Sequence, residues 1–144
     1  MKAAITNPME TVAEFEKDNG ARFIDVRTVA EFVSGHPRGP VVNIPIVFHH
    51  PHNDDTYPND SFVLVVEDNY PKDAQLIIGD QNGERSEMAA DILVDAGYTN
   101  VSVMLGGLDQ WQKCALPVTG DNRDGVSYVS LLTPAKRKKK PKNG

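Results

Sequence analysis

The sequence predicts a three-layer α/β domain in which helices flank a mostly parallel central sheet. Two observations favour this fold. Short apolar segments of strand length alternate with segments of helical periodicity along the chain, and such alternation is typical of parallel sheets that are covered on both faces. The chain has 144 residues, of which 40% are hydrophobic and 24% charged, so one domain with a substantial core is expected.

The first half of the chain contains the elements that define this alternation. Residues 8–20 predict a helix that begins at a proline and ends at an Asn-Gly pair. Arg22–Val26 predicts the first core strand. Thr28 is expected to cap a short helix that stops at Gly35. Residues 36–40 then predict a turn, and Val41–Ile44 predicts a second strand.

The second half begins with a polar segment and returns to the same pattern. After residues 45–58, Asn59 or Asp60 is expected to cap a helix with Phe62, Val65 and Val66 on one face. Leu76–Gly79 has the length of a buried strand. A helix is predicted to start between Glu84 and Ser86, because apolar residues recur at helical spacing after it: Met88, Ala89, Ile92, Leu93 and Ala96.

The loop between this strand and this helix is the predicted centre of the domain's chemistry. Its residues are Asp80, Gln81, Asn82, Gly83, Glu84, Arg85 and Ser86. Backbone N–H groups of a tight loop and of the first helical turn lack intrahelical partners, so together they form an anion cradle. Gly83 permits a positive φ within the loop, and Glu84 complements the helix dipole.

Four motifs, in order from about Phe23 to Val118, resemble those of the rhodanese-like domains. The loop residues 81–86 match the family's R-S-G-N-R-S loop in length, with Gly, Arg and Ser in register. The other motifs are Ile24-Asp25-Val26-Arg27 with Glu31-Phe32 and Gly35-His36, Ala96-Gly97-Tyr98-Thr99-Asn100-Val101, and Gly106-Gly107 with Trp111 and Leu116-Pro117-Val118. The resemblance implies the rhodanese topology and a sulfurtransferase ancestry.

The sequence departs from this family at its catalytic position, where Asp80 replaces the cysteine. Sulfur transfer needs a thiolate that can hold a second sulfur as a persulfide, and a carboxylate forms no stable bond to sulfane sulfur. Asp80 is instead expected to occupy the cradle as an internal anion. Two hypotheses remain open: a catalytically silent module that binds a protein or a small anion, and a sulfurtransferase that works without the usual cysteine or whose Asp80 was introduced by mutation.

Two other nucleophiles were considered and are not favoured. Aspartyl phosphate chemistry at Asp80 needs a metal ion and a neighbouring carboxylate to hold it, and residues 81–83 supply neither. Cys114, the only thiol, lies near the end of the last predicted helix with no histidine close by in sequence. A lone cysteine among apolar residues is usually a small core residue, and we predict that role for Cys114.

Structural roles are expected for the remaining motif residues. Asp25 and Arg27 are predicted to tie the end of the first strand to neighbouring turns through charge-assisted hydrogen bonds. Gly106 and Gly107 are expected to allow a tight backbone turn, and Trp111 is expected to anchor the core.

The polar segment contains three histidines that are candidate metal ligands, His49, His50 and His52. Imidazole and carboxylate groups are ordinary ligands, and Asp54 and Asp55 lie close by in sequence. The spacing matches no recognised ligand set, however, so an exposed loop is favoured over a metal site. No cofactor is expected.

The charge distribution divides the chain into a domain at 1–133 and a tail at 134–144. The net charge is −5, and six cationic side chains fall within residues 136–142, which leaves −11 for the remainder. The tail lacks aromatic residues and a helical apolar face, so it is predicted to be disordered and dispensable for stability. Weak contact with polyanions through residues 136–142 is expected.

The remaining features predict a cytoplasmic domain. A single cysteine excludes an intrachain disulfide. No apolar segment approaches the length of a membrane span, so no membrane contact is expected. The first eight residues lack the apolar region of a signal peptide.

Overall fold

The computed structural model describes residues 2–139. The helices, α1 to α6 in chain order, are Pro8–Glu16, Val29–Ser34, Phe62–Asn69, Glu84–Asp95, Gly107–Lys113 and Tyr128–Lys139. The strands, β1 to β9, are Ala4–Thr6, Arg22–Asp25, His36–Pro37, Val41–Asn43, Val47–His49, Thr56–Pro58, Leu76–Gly79, Val101–Met104 and Val118–Thr119.

The central sheet has five strands in the order β1-β8-β7-β2-β4, and every neighbouring pair is parallel. Its two faces are covered by different helices. One core contains side chains from α3, α4 and α6, whereas the other contains side chains from α1, α2 and α5, among them Phe32 and Trp111. This arrangement confirms the predicted three-layer α/β fold.

The register of the sheet brings the ends of three strands together. Asp25 at the end of β2 pairs with Gly79 at the end of β7 and with Asn43 at the end of β4. Asp80 directly follows Gly79 and therefore lies at the carboxyl edge of the sheet. Ligands of open parallel sheets bind at this edge, so the fold places the predicted loop in the expected position.

Several local predictions need correction. His36–Pro37 is not only a turn, because it forms the short strand β3, which pairs antiparallel with β9. The polar segment, which was expected to be a loop, contains the antiparallel hairpin of β5 and β6. The sequence did not predict this hairpin because the residues that connect the two strands are polar. Helix α3 has Ser61, not Asn59 or Asp60, at its N-cap position, and the Ser61 side chain makes no capping hydrogen bond. Asn59 instead accepts a hydrogen bond from the backbone N–H of Ser61.

The core-facing stripe of α4 also differs from the predicted one. The buried residues of this helix are Ser86, Ala89, Ala90 and Leu93. Met88 and Ile92, which the apolar periodicity included, are 44% and 37% exposed. Small side chains let α4 lie close to the sheet, and this close approach leaves the two larger side chains at the edge of the buried face.

The predicted start of the disordered tail at residue 134 is wrong for residues 134–139. Helix α6 continues to Lys139, and Ala135 within it is 1% exposed in the core that α3 and α4 share. Lys138 forms an ion pair with Asp68 of α3 at 3.0 Å. Pro134 lies inside the helix and removes one backbone donor without ending it. The rest of the predicted tail, residues 140–144, lies outside the described range.

No helix within residues 2–139 has the length and apolar character needed to cross a membrane.

Candidate functional site

The loop at residues 80–86 begins where β7 ends, and packing explains the glycine that precedes it. A Cβ atom on Gly79 would lie 2.2 Å from Cζ of Phe23, a buried residue of β2. The backbone therefore passes directly over the Phe23 ring. Asp80 follows with only 2% of its surface exposed.

The Asp80 carboxylate accepts hydrogen bonds from the loop and from the first turn of α4. Oδ1 accepts from the backbone N–H of Gly83 and from the hydroxyl of Ser86, the latter at 3.3 Å. Oδ2 accepts from the backbone N–H groups of Arg85 and Ser86, at 2.6 and 3.2 Å. The donors of the loop and of the first helical turn therefore converge on the Asp80 side chain, and we call this arrangement the cradle.

The shape of the loop depends on two further residues. Gly83 has a φ of +109°, a conformation that L side chains rarely adopt. The exposed Asn82 accepts a hydrogen bond from the backbone N–H of Glu84 through Oδ1, at 3.1 Å. The N–H groups of Gly83, Glu84, Arg85 and Ser86 are therefore all bonded to side chains of the same loop.

Arg85 turns its guanidinium away from the cradle and toward α2. Its two terminal nitrogens donate to the two carboxylate oxygens of Glu31, at 2.7 and 2.9 Å. Glu31 also closes a capping box with Thr28 at the start of α2. The hydrogen bonds from Arg85 lower the pKa of Glu31 from 4.5 to about 2, and the same pair raises the pKa of Arg85.

Asp25 and Arg27 form a buried ion pair beneath the loop. The closest contact joins Arg27 Nη2 to Asp25 Oδ2 at 2.7 Å, and both side chains are 3% exposed or less. Burial raises the pKa of the Asp25 carboxyl, and the hydrogen bonds from Arg27 oppose that shift. Arg27 also donates to Gln81 Oε1 at 3.1 Å and to the Gly35 carbonyl at 2.7 Å. The predicted link between the strand end and neighbouring turns is therefore present.

Helix α5 supports the loop from the other side. The N–H groups of Leu108 and Asp109 donate to the carbonyls of Asp80 and Gln81, at 2.8 and 2.9 Å, and Gln81 Nε2 donates to the Asp109 carboxylate at 2.6 Å. A Cβ atom on Gly107 would lie 2.5 Å from the Asp80 carbonyl oxygen. Gly107 therefore allows the backbone of α5 to approach the loop closely.

The other predicted motif residues lie around this support. Gly106 precedes α5 with a φ of +80°, as the predicted tight turn requires. Trp111 is fully buried and donates through Nε1 to the Pro117 carbonyl at 2.9 Å, so it anchors the core as expected.

Cys114 is not the core residue that was predicted. It is half-buried and lines a surface cavity of about 350 Å³ with residues of α1 and α5. Its sulfur lies 4.0 Å from the side-chain nitrogen of Gln110. The backbone N–H groups of residues 83–86 bind Asp80 and Asn82, so they do not donate to the Cys114 thiol.

The histidines of the polar segment lie on the β5–β6 hairpin. His49 ends β5, and the rings of His50 and His52 are 6.0 Å apart in the connection. All three side chains are exposed. Across residues 2–139, no group of three or more His, Cys, Asp and Glu side chains is placed to hold a metal ion.

Sequence reasoning missed three residues that hold the site. Glu31 binds Arg85, Asp109 binds Gln81, and the buried Asn43 donates through Nδ2 to the carbonyls of Asp25 and Arg27. From the sequence, Glu31 was named only as part of the Glu31-Phe32 motif and was assigned no contact. The contacts of Asn43 and Asp109 join residues that are far apart in sequence, so no local sequence pattern predicts them.

Known proteins resemble this chain over the same region. A sequence model described as the rhodanese-like domain matches residues 8–114. The senescence-associated protein DIN1 of Raphanus sativus is 37% identical over 99 residues, which cover 69% of this chain and 52% of that protein. Thiosulfate sulfurtransferase 16 of Arabidopsis thaliana, a chloroplastic protein, is 35% identical over 68% of this chain and 79% of its own length.

The fold is also found among solved structures. The solution structure of a rhodanese-like domain from an Anabaena protein aligns with a TM-score of 0.67 at 20% identity, covering 84% of this chain and 81% of that domain. The chain spans about half the length of the first curated relatives it matches. The residues matched by the family model include four of the five strands of the central sheet and the loop, and the chain therefore belongs to the family of rhodanese-like domains.

Proposed function

We propose that this domain is silent in sulfur transfer and acts as a protein-binding module. One observation supports the proposal: the Asp80 carboxylate accepts the hydrogen bonds of the cradle, at the position where the resemblance in sequence implies the family's cysteine. Within the described loop, these are the donors that would otherwise stabilise a reacting anion.

The chemistry of sulfur transfer explains why this substitution matters. In the family reaction a cysteine thiolate attacks the outer sulfur of thiosulfate, a new S–S bond forms, the S–S bond of thiosulfate breaks, and sulfite leaves. Carboxylate oxygens are hard and form no stable persulfide equivalent. Asp80 therefore carries a negative charge like that of the cysteine thiolate, but it cannot attack thiosulfate to form a persulfide.

The same contacts distinguish between a small anion and a protein as the ligand. A free anion at residues 80–86 would have to displace a carboxylate that is covalently attached to the loop, and it would be repelled by that charge. The guanidinium of Arg85 is engaged by Glu31. Because these groups are already bonded, the geometry supports a protein ligand over a small anion.

The alternative, a sulfurtransferase that uses another thiol, rests on two observations. A relative at 35% identity bears the name thiosulfate sulfurtransferase, and Cys114 is accessible from a surface cavity. Its described polar contact is Gln110 Nε2 at 4.0 Å, which is a weak donor arrangement for a thiolate. This contact gives less support to catalysis than the filled cradle gives to the silent module.

The proposal also includes where the domain works and what its basic end contacts. A single cysteine suits a reducing compartment such as the cytoplasm. Lys136 and Arg137 are exposed on α6, while Lys138 is paired with Asp68. We expect weak, salt-dependent contact between residues 136–142 and polyanions, with no cofactor involved.

A sulfurtransfer assay of the full chain tests the proposal. Purified protein is treated with thiosulfate and examined by mass spectrometry, and thiocyanate is measured after cyanide is added. We expect neither a mass gain of one sulfur nor thiocyanate above background, for the native chain and for Cys114→Ser alike. Turnover that persists in Cys114→Ser would overturn the proposal, and turnover that Cys114→Ser abolishes would favour the alternative.

A further inference from the structure

An apolar groove lies beside α4, at the side of the domain where the β5–β6 hairpin meets α3. Its volume is about 350 Å³. The side chains that form its apolar wall come from all three elements: Val47, Tyr57, Phe62, Val63, Met88 and Ile92. We call this surface the α4 groove.

The α4 groove exposes large apolar side chains that the fold does not use to fill its core. Tyr57, Met88 and Ile92 are 48%, 44% and 37% exposed. The face of α4 that packs on the sheet consists of other, mostly smaller residues. Contiguous exposed apolar surface of this kind marks interaction sites in proteins, and Met and Tyr side chains are enriched in them.

Acidic side chains lie at the α4 groove and at the start of α4. Asp60 is the charged residue among the described side chains that line it. Glu84 and Glu87 lie in the first turn of α4, and both are exposed. Glu84 lies one turn before Met88 on the same face of the helix. Asp91 is already engaged, because its carboxylate accepts a hydrogen bond from the backbone N–H of Lys2 at 2.8 Å. A partner that places apolar side chains in this groove therefore brings Lys or Arg beside them.

We infer that the α4 groove docks a short segment of a partner protein in which large apolar side chains are flanked by Lys or Arg. This inference rests on the proposed binding function and assigns it a surface. From Ile92 back to Glu84 the helix rises by about 12 Å, a distance that an extended segment of about four residues spans. Such a segment reaches from the groove to the mouth of loop 80–86.

A second copy of this chain is a poorer occupant on the same evidence. In a two-fold dimer formed through the groove, each copy would bring the same acidic edge, with Asp60 and Glu84, and no cation from the described lining of the groove. Like charges that face each other across an interface are unfavourable. A basic partner instead neutralises this edge.

Selection from a random peptide library displayed on phage tests the inference with the full chain as bait. We expect enrichment of peptides that combine large apolar residues with Lys or Arg. A synthetic peptide of the enriched sequence is then measured by fluorescence anisotropy. The double variant Met88→Ser/Ile92→Ser is expected to weaken its binding at least tenfold, because it removes the apolar contacts.

A matched control removes exposed apolar side chains elsewhere. Met9 and Val129 are 59% and 68% exposed and lie outside the groove, so Met9→Ser/Val129→Ser should leave the peptide affinity unchanged within about twofold. Asp60→Asn and Glu84→Gln should each weaken binding at low salt and have less effect at high salt.

Four outcomes would overturn the inference: no enrichment, enrichment of acidic peptides, equal binding by the Met88→Ser/Ile92→Ser variant, or a native dimer in sedimentation that this variant dissociates. These outcomes are independent of the sulfurtransfer assay. Thiocyanate production would contradict the proposed loss of sulfur transfer without affecting the peptide-binding result. Failure to bind peptides would contradict the α4 groove as a docking site without affecting the proposal that Asp80 makes the loop inactive.

Discussion

The guanidinium of Arg85 and the carboxylate of Glu31 face each other with two hydrogen bonds, at 2.7 and 2.9 Å. Arg85 belongs to the first turn of α4, and Glu31 belongs to α2 on the opposite face of the sheet. The pair therefore joins two helical layers across the carboxyl edge of the sheet. Arg85 thus takes part in both structures: its guanidinium forms the ion pair with Glu31, and its backbone N–H donates to the Asp80 carboxylate.

This pair predicts a measurable pH dependence of stability. Arg85 lowers the pKa of Glu31 from 4.5 to about 2, so the stabilisation is complete above about pH 4.5 and is lost as the pH falls toward 2. Because both side chains are partly exposed, we expect about 1 kcal/mol at pH 7. Glu31→Gln retains the capping box and should lose this contribution in urea unfolding at pH 7. Equal stability differences at pH 7 and pH 2 would contradict the assignment.

Gly107 provides a second prediction, about the support beneath the loop. Gly107→Ala places a methyl group 2.5 Å from the Asp80 carbonyl, at a φ of +59°. We expect a loss of about 2–4 kcal/mol from the clash and the backbone strain together. Gly20→Ala is the control, because Gly20 has a φ of +87° with no atom within 4 Å of the added carbon. If the two variants are equally stable in denaturant unfolding, the close approach of Gly107 to the Asp80 carbonyl does not contribute to stability.

The C-terminal helix gives a third prediction, which reverses the expectation from the sequence. A chain that ends after Pro134 loses the buried Ala135 and the ion pair between Lys138 and Asp68. We expect it to be less stable than a chain ending after Lys139 by about 1–2 kcal/mol. Thermal unfolding followed by circular dichroism measures the difference. Identical melting temperatures for the two chains would mean that this end of α6 contributes nothing.

The sequence was sufficient for the fold class, for the strands β2, β4 and β7 that end at the site, and for the position of the loop. Strands such as Leu76–Gly79 are short, continuous and apolar, which is typical of a sheet buried on both faces. The loop that follows β7 contains Gly83 and leads into a helical apolar periodicity. Local chemistry therefore determined what the loop would be. The position of Asp80 predicted that its carboxylate would bind the loop, because Asp80 comes directly before the N–H groups that lack intrahelical partners.

The errors occurred where tertiary contacts decide the outcome. Ala135 is buried because α6 packs on α3, and a basic, alanine-poor segment shows no sign of this contact in its own periodicity. Met88 and Ile92 fitted a helical apolar face but lie at its edge, because the width of the buried stripe depends on how closely α4 approaches the sheet. Cys114 was placed in the core by its apolar neighbours, although its helix leaves it half-exposed.

The last prediction concerns the residue at the centre of the cradle: Asp80→Cys is expected to produce a sulfurtransferase. The donors of the loop, namely the N–H groups of Gly83, Arg85 and Ser86 and the Ser86 hydroxyl, are already arranged around an anion. A thiolate at this position would receive them, and such hydrogen bonds favour the ionised thiol. Aspartate and cysteine are similar in size, so the loop should retain its shape.

Two measurements check this expectation, with Asp80→Asn as the matched control. After exposure to thiosulfate, the cysteine variant should gain the mass of one sulfur at position 80. Cyanide should then attack the terminal sulfur, release thiocyanate and regenerate the thiolate. Asp80→Asn also removes the negative charge but supplies no thiol, so it should stay at background. If the cysteine variant folds but acquires neither property, the loop has lost its competence at another residue, with Gln81 and Glu84 the first to examine. The cradle would then bind a carboxylate without being able to stabilise a persulfide.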